Sequence, residues 1–157
     1  MKKILAVTAI LMATSAFAEK IGVIDTQAVI ANFSETKKAQ QSLETQAKKL
    51  ENEARQKEVN LEKEYVALQA KGDKLTDAEK KAFEKRTQEF QGFLQNAQSK
   101  LGKDEFDKMS KINTTLLKAV DKVAKEGKYE YVVEAGAVLY GGEDISEKVL
   151  KAMETLK

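Results

Sequence analysis

Lys71-Gly72-Asp73-Lys74-Leu75-Thr76-Asp77-Ala78-Glu79 interrupts the longest helical pattern in the chain, and its reading decides the fold. Gly72 is free to take the left-handed conformation that closes a helix, and Thr76 with Glu79 three residues on fits a capping box that opens the next. The chain therefore reverses between two helical arms. So short a connection makes them antiparallel neighbours.

Working outward, apolar residues return mostly every third or fourth position from Ala39 to Leu68, one stripe on a helix otherwise made of Lys, Glu and Gln. Two rows repeat every eleven residues, Ala39/Leu50/Leu61 and Leu43/Ala54/Tyr65; the second arm does the same with Phe90/Leu101/Ile112/Val123, Phe106/Leu117 and Met109/Val120. Eleven residues make three turns at about 3.67 per turn, so the seam is expected to run straight or drift slightly right-handed. At about 1.5 Å per residue, Glu35 to Lys71 spans roughly 55 Å and Asp77 to Glu126 roughly 75 Å. The second arm overshoots the first, and its base is expected inside whatever the chain ends build.

At the amino terminus, Met1-Lys2-Lys3 is basic, Ile4 to Met12 is apolar and Ala16-Phe17-Ala18 is a small-x-small cleavage site. Together these predict a secretory signal peptide over 1–18, cut before Glu19. The apolar run is shorter than the roughly 20 residues of a membrane span. Without Lys2 and Lys3 the 27 basic residues fall to 25, matching 25 acidic ones. A balanced charge and only two arginines, Arg55 and Arg86, argue against nucleic acid as a partner. With no Cys, Pro or His, the chain has no disulfide staple, no helix breaker and none of the usual transition-metal ligands or thiol and imidazole catalysts.

The ends are β-rich. Lys20-Ile21-Gly22-Val23-Ile24-Asp25 reads as a short buried strand, with Asp25 or Thr26 capping a short helix through Ile30. Asn32 and Ser34 mark a break before the first arm. Tyr129 to Glu134 reads as a strand, Ala137-Val138-Leu139-Tyr140 as another ended by Gly141-Gly142, and Ile145 to Leu156 as an amphipathic helix. The division is then body 19–33, hairpin arm 34–127 with its tip near 71–77, and body 128–157. Roughly 45 body residues lie near the size below which a core seldom holds without help, and the strands leave edges to cover. A homo-oligomer joined through the body meets both needs, with Ile21, Val23, Val132, Val133 and Val138 as its candidate core.

Chemistry has few seats. Asp25 is the one carboxylate at a strand end that tempts a catalytic reading, and a helix cap is the preferred account of it. Asn113-Thr114-Thr115 fits a glycosylation pattern but falls inside a helical stripe, and no Gly-rich phosphate loop precedes a Lys-Ser or Lys-Thr pair. No cofactor and no enzyme activity are expected. The aromatics of the arms belong mostly to the seam, yet Phe90 and Phe93 cannot both point into one that also takes Leu94. Partly exposed apolar groups on a charged arm suit weak contact with unfolded chains, with Tyr65, Leu68, Phe83, Phe90 and Phe93 as candidates.

The signal segment, the strand Lys20 to Ile24, the Lys/Glu/Gln-rich hairpin and above all Tyr131-Val132-Val133-Glu134-Ala135-Gly136-Ala137-Val138-Leu139-Tyr140 together resemble the Skp (OmpH) family of periplasmic chaperones. The resemblance covers the chain after the signal in order. It implies an α+β fold in which a long antiparallel helical hairpin projects from a small β-rich trimerisation body. It also implies a homotrimer that holds unfolded outer-membrane β-barrel proteins between its arms without ATP, in the periplasm. Some members are credited with a basic patch on the second arm that contacts lipopolysaccharide or the membrane surface. Here Asp104 and Glu105 adjoin Lys100 and Lys103, so that site is not carried over. A structural coiled-coil spacer or adaptor of the cell envelope stands as the alternative.

Overall fold

The computed structural model describes residues 19–157, and the expected signal peptide lies outside them. Strand β1 (Ile21–Ile24) is the middle of a three-stranded parallel sheet, flanked by β2 (Tyr131–Glu134) and β3 (Glu143–Asp144). Between β1 and β2 run α1 (Thr26–Asn32), α2 (Ser34–Gln69) and α3 (Asp77–Gly127); α4 (Ser146–Leu156) closes the chain. The two long helices, of 36 and 51 residues, form the hairpin.

Alternation along β1 sorts its residues between two faces. Gly22 and Ile24 point at the core, while Ile21 and Val23 face outward. Gly22 has little room for a side chain, since a Cβ there would stand 2.9 Å from Ile145 Cδ1. The core is built by Ile24, Val29 of α1, Phe33, and Ile145, Val149 and Met153 around α4. Ile112, Leu116, Ala119 and Val123 complete it from the last turns of α3, which place the base of the longer arm inside the body as its overshoot predicts.

Each helix end has an identifiable cause. Asp25 Oδ1 accepts the Ala28 N–H at 2.8 Å, which is the cap reading of that carboxylate. The break before α2 falls at Phe33, whose extended backbone (ψ 131°) lets its ring drop into the core. Its first turn is capped from 120 residues away, where the Glu154 carboxylate accepts the Ser34 N–H at 2.8 Å and the Ser34 hydroxyl at 2.7 Å. At the tip, Gly72 has φ +49° and opens a single 3₁₀ turn through Lys74. Thr76 and Glu79 form both halves of the capping box, the Glu79 N–H donating to Thr76 Oγ1 at 3.3 Å and the Thr76 N–H to Glu79 Oε2 at 3.0 Å. At the other end of α3 the left-handed residue is Lys128 (φ +53°), one beyond Gly127. Gly127 is needed for a different reason: a Cβ there would lie 2.1 Å from the Tyr129 ring.

The expected strand over Ala137 to Tyr140 is absent. Ala135–Ala137 make a 3₁₀ turn, and Leu139 and Tyr140 stand fully in solvent. Strand-like composition makes a strand only where the segment meets an edge in register, and here the edge of β1 opposite β2 goes to β3 instead. The chain instead turns at Gly141 and Gly142, each with φ +85°, and pairs Glu143–Asp144 with β1. Gly142 is irreplaceable there, because a Cβ would fall 2.4 Å from Val23 Cγ2.

Glu154 and Glu143 are held at about 2, well below the ordinary carboxylate value of 4.5. For Glu154 the Lys157 ammonium is the main cause, followed by the two Ser34 donors; for Glu143 it is Lys148, then Tyr129 and Lys20. A depressed folded-state value means that these groups stabilise the fold above the ordinary value and lose that effect as pH falls towards the folded one. Thermal unfolding followed by circular dichroism is therefore expected to show Tm falling between about pH 4.5 and 2. Glu154→Ala should lower Tm by a few degrees at neutral pH and make the acid decline shallower. An unchanged neutral Tm would mean that the carboxylate does not hold the start of α2.

Candidate functional site

Two surfaces are open to partners, the arms and the outer face of the sheet. Along the arms the two helices meet edge to edge with nothing behind them, so each seam residue is half-buried at best. Among the described residues, no side chain of either arm is buried between Thr36 and Ile112. The row Phe90/Leu101/Ile112/Val123 faces α2 and then the core, as its spacing predicts.

The five arm residues nominated from sequence fall into two stations. Tyr65, Leu68 and Phe83 gather at the tip with Leu75 around a cleft of about 230 Å³, the Tyr65 and Phe83 rings 6.0 Å apart and tilted by 31°. Phe90 borders a second cleft of about 330 Å³ further down, beside Leu61 and under the ion pair of Arg86 with Glu64 at 2.7 Å. Phe93 lies under the Lys57 ammonium, 5.2 Å from the ring centroid. Phe90 and Phe93 are both half-buried, so neither is displaced wholly into solvent.

Two other rows are not in the seam. Phe106 is 71% exposed, Leu117 69% and Met109 40%. The sequence carried the signal for this. At roughly 100° per residue, Phe106 sits roughly 140° round the helix from Leu101, so both rows cannot face one neighbour.

On the sheet, parallel register places Ile21 beside Tyr131 and Val23 beside Val133 on the outer face. A cleft of about 460 Å³ opens there, lined by Ile21, Val133, Val138, Leu139 and Tyr140. Val132 pairs with Gly22 and faces the other way, packed against the core. Of the five residues nominated for association, four thus share a face or its cleft, and Val132 serves the fold of the single chain. Beside the sheet, Lys20 Nζ stands 4.2 Å from the Tyr129 ring centroid and 3.1 Å from Glu143, which also binds Lys148. This cluster pins the end of α3 to β1, β3 and α4.

Among the described residues, no group of three or more Asp or Glu is placed to hold a metal ion. No described helix is long and apolar enough to cross a membrane. The surfaces offer apolar contact and charge.

The family described as outer membrane protein (OmpH-like) matches residues 20–153. A protein of Pseudomonas aeruginosa named Skp-like protein is 28% identical over 169 aligned positions, covering 98% of this chain and 96% of its own. The crystal structure of an OmpH-like protein of Caulobacter crescentus, described as a candidate outer membrane chaperone, superposes with a TM-score of 0.66. It covers 87% of this chain and 85% of the other at 18% identity, which speaks for the fold.

The two faces of the sheet give separable expectations. Val132→Asp should place a charge against the core, cost on the order of 2–3 kcal/mol and lower Tm sharply. Ile21→Asp should keep the helix content of the folded chain and lower Tm only by the stabilisation that association lends, less than Val132→Asp does, while shifting sedimentation towards smaller species. If both variants unfold alike, the outer face is part of the single-chain fold.

Proposed function

The chain belongs to the OmpH-like family of outer membrane proteins, and from that premise we propose that it is an ATP-independent holdase chaperone. It works in the periplasm after loss of the signal peptide and keeps unfolded outer-membrane β-barrel proteins soluble on their way to the membrane. The observation that carries this reading is a hairpin with no core of its own projecting from a body whose outer face is apolar. In this reading copies associate through Ile21, Val23, Val133 and Val138, with Leu139 and Tyr140 supplying the cover, and the family resemblance supports a homotrimer as the assembly. The arms then enclose a space between them. A client inside meets Tyr65, which is exposed, and Leu68, Phe83, Phe90 and Phe93, which are half-buried, as scattered apolar groups. Contacts of that kind are weak singly and strong in sum, which suits holding without sequence preference. Release follows when the client folds or is handed on, since the chain carries no nucleotide loop.

The register of the arms defines a clean test. Arg86 pairs with Glu64, so Ala54–Glu64 and Arg86–Asn96 are opposite segments of eleven residues each. Deleting both removes three turns from each arm, roughly 16 Å, while the tip and its capping box stay intact. The shortened protein should sediment like the parent and keep small unfolded clients soluble but protect large ones poorly in a light-scattering assay. Undiminished protection of large clients would place the holding surface in the body. Failure of the parent to suppress aggregation at stoichiometric amounts would favour an envelope spacer instead.

A further inference from the structure

The face of α3 turned away from α2 is unlike the rest of the arm. From Gln88 to Ala124, a sector roughly 100° wide that includes Phe106 contains no Lys, Arg, Asp or Glu, in a chain that is 33% charged. Its outer half presents Gln88, Gln91, Gln95 and Ser99, all exposed. The inner half presents Phe106, Met109 and Leu117 and reaches the body at Val120. Charges resume on both flanks, at Lys103 and Glu105.

Gly92 and Gly102 lie on the same sector and nothing within the chain accounts for them. Both are inside a helix with helical backbone, and a Cβ at either would meet nothing within 4 Å. Glycine at such a position is destabilising relative to alanine. Neither turn geometry nor internal packing offsets that cost. What glycine does provide is close approach of another backbone to the helix.

Resting on the chaperone reading above, we propose that this uncharged face of α3 is the track along which an extended, charge-poor segment of an unfolded polypeptide lies. Its main chain comes close at Gly92 and Gly102. Its peptide groups exchange hydrogen bonds with the Gln side chains, which donate and accept alike. Its apolar side chains reach Phe106, Met109 and Leu117. Segments that alternate apolar and uncharged polar residues, as strands of membrane β-barrels do, match the track in charge. A second copy of the helix fits it less well. Helix pairing along this length needs apolar knobs at every turn, and the outer half supplies only amides, a hydroxyl and glycines.

The test moves the same charges by one residue. Gln95→Glu with Asn113→Glu places two carboxylates on the track; Asn96→Glu with Thr114→Glu places them roughly 100° away on the charged side. Affinity is read by fluorescence for an unfolded β-barrel membrane polypeptide diluted from urea, with sedimentation in parallel. The track variant should bind at least about fivefold more weakly and the flank variant like the parent, because only the first buries a charge under the client. A second variant, Gly92→Leu with Gly102→Leu, should raise Tm yet weaken binding, which separates blocked approach from unfolding. Equal loss in both charge variants, or no loss in either, overturns the track while leaving the chaperone reading intact, provided the parent binds. A changed sedimentation coefficient in the track variant assigns the face to a second copy and also overturns it. If the parent itself does not bind the polypeptide, the chaperone reading falls and the track with it.

Discussion

Everything in this molecule depends on β1 being the central strand of a parallel sheet. Parallel neighbours cannot be joined by a tight turn, so the chain must leave one end of β1 and return to the other. Here that crossover is the whole hairpin. The Glu130 N–H donates to Lys20 O at 2.9 Å and the Ile145 N–H to Val23 O at 2.9 Å, so both strands that follow the arm close on the one that precedes it. The two arm helices must therefore begin and end at the same place, which allows any length between them provided it is matched. The mismatch in their lengths is absorbed by embedding the last turns of α3 in the body core.

Much of this is written in local residues. Gly72, Thr76 and Glu79 specify the reversal within a few positions, and the Phe90/Leu101/Ile112/Val123 row specifies the face α3 turns inward. The parts that sequence did not disclose are those settled by distant partners. Glu143–Asp144 has the composition of a loop and becomes a strand because the Gly141-Gly142 turn delivers it to the free edge of β1. Val138 to Tyr140 has the composition of a strand and stays unpaired, because the edge of β1 beside it is occupied by Glu143–Asp144. Ser34 gives no hint that its cap is Glu154, 120 residues on. For the candidate surfaces the split is similar. The outward set on the sheet follows from period-two alternation, yet Val132 could be told from Val133 only once the register with Gly22 was known.

The charges on the arms act locally. Lys48 with Glu44 at 2.6 Å, Arg55 with Glu51 at 3.5 Å and Lys125 with Asp121 at 2.7 Å are pairs one turn apart on the same helix. Exposed pairs of this kind are weak and fade with salt. Among the described residues, only Arg86 with Glu64 and Lys71 with Glu79 tie one side of the hairpin to the other. Each helix is thus stiffened along its own axis far more than it is fastened to its neighbour.

That imbalance has a mechanical consequence. An isolated helix of this composition keeps its rod shape through its own backbone bonds, but its position relative to a partner is set by side chains buried between them. In the arms those side chains are only half-buried from Leu43 to Leu101, whereas in the body Ile145, Val149 and Met153 are wholly enclosed. The body is therefore the rigid element. The arms can splay, twist or slide at little cost because few enclosed contacts are lost when they do. Compliance at the arm and rigidity at the base follow from the same distribution of buried surface, and on the proposed holdase reading both suit partners of no fixed shape.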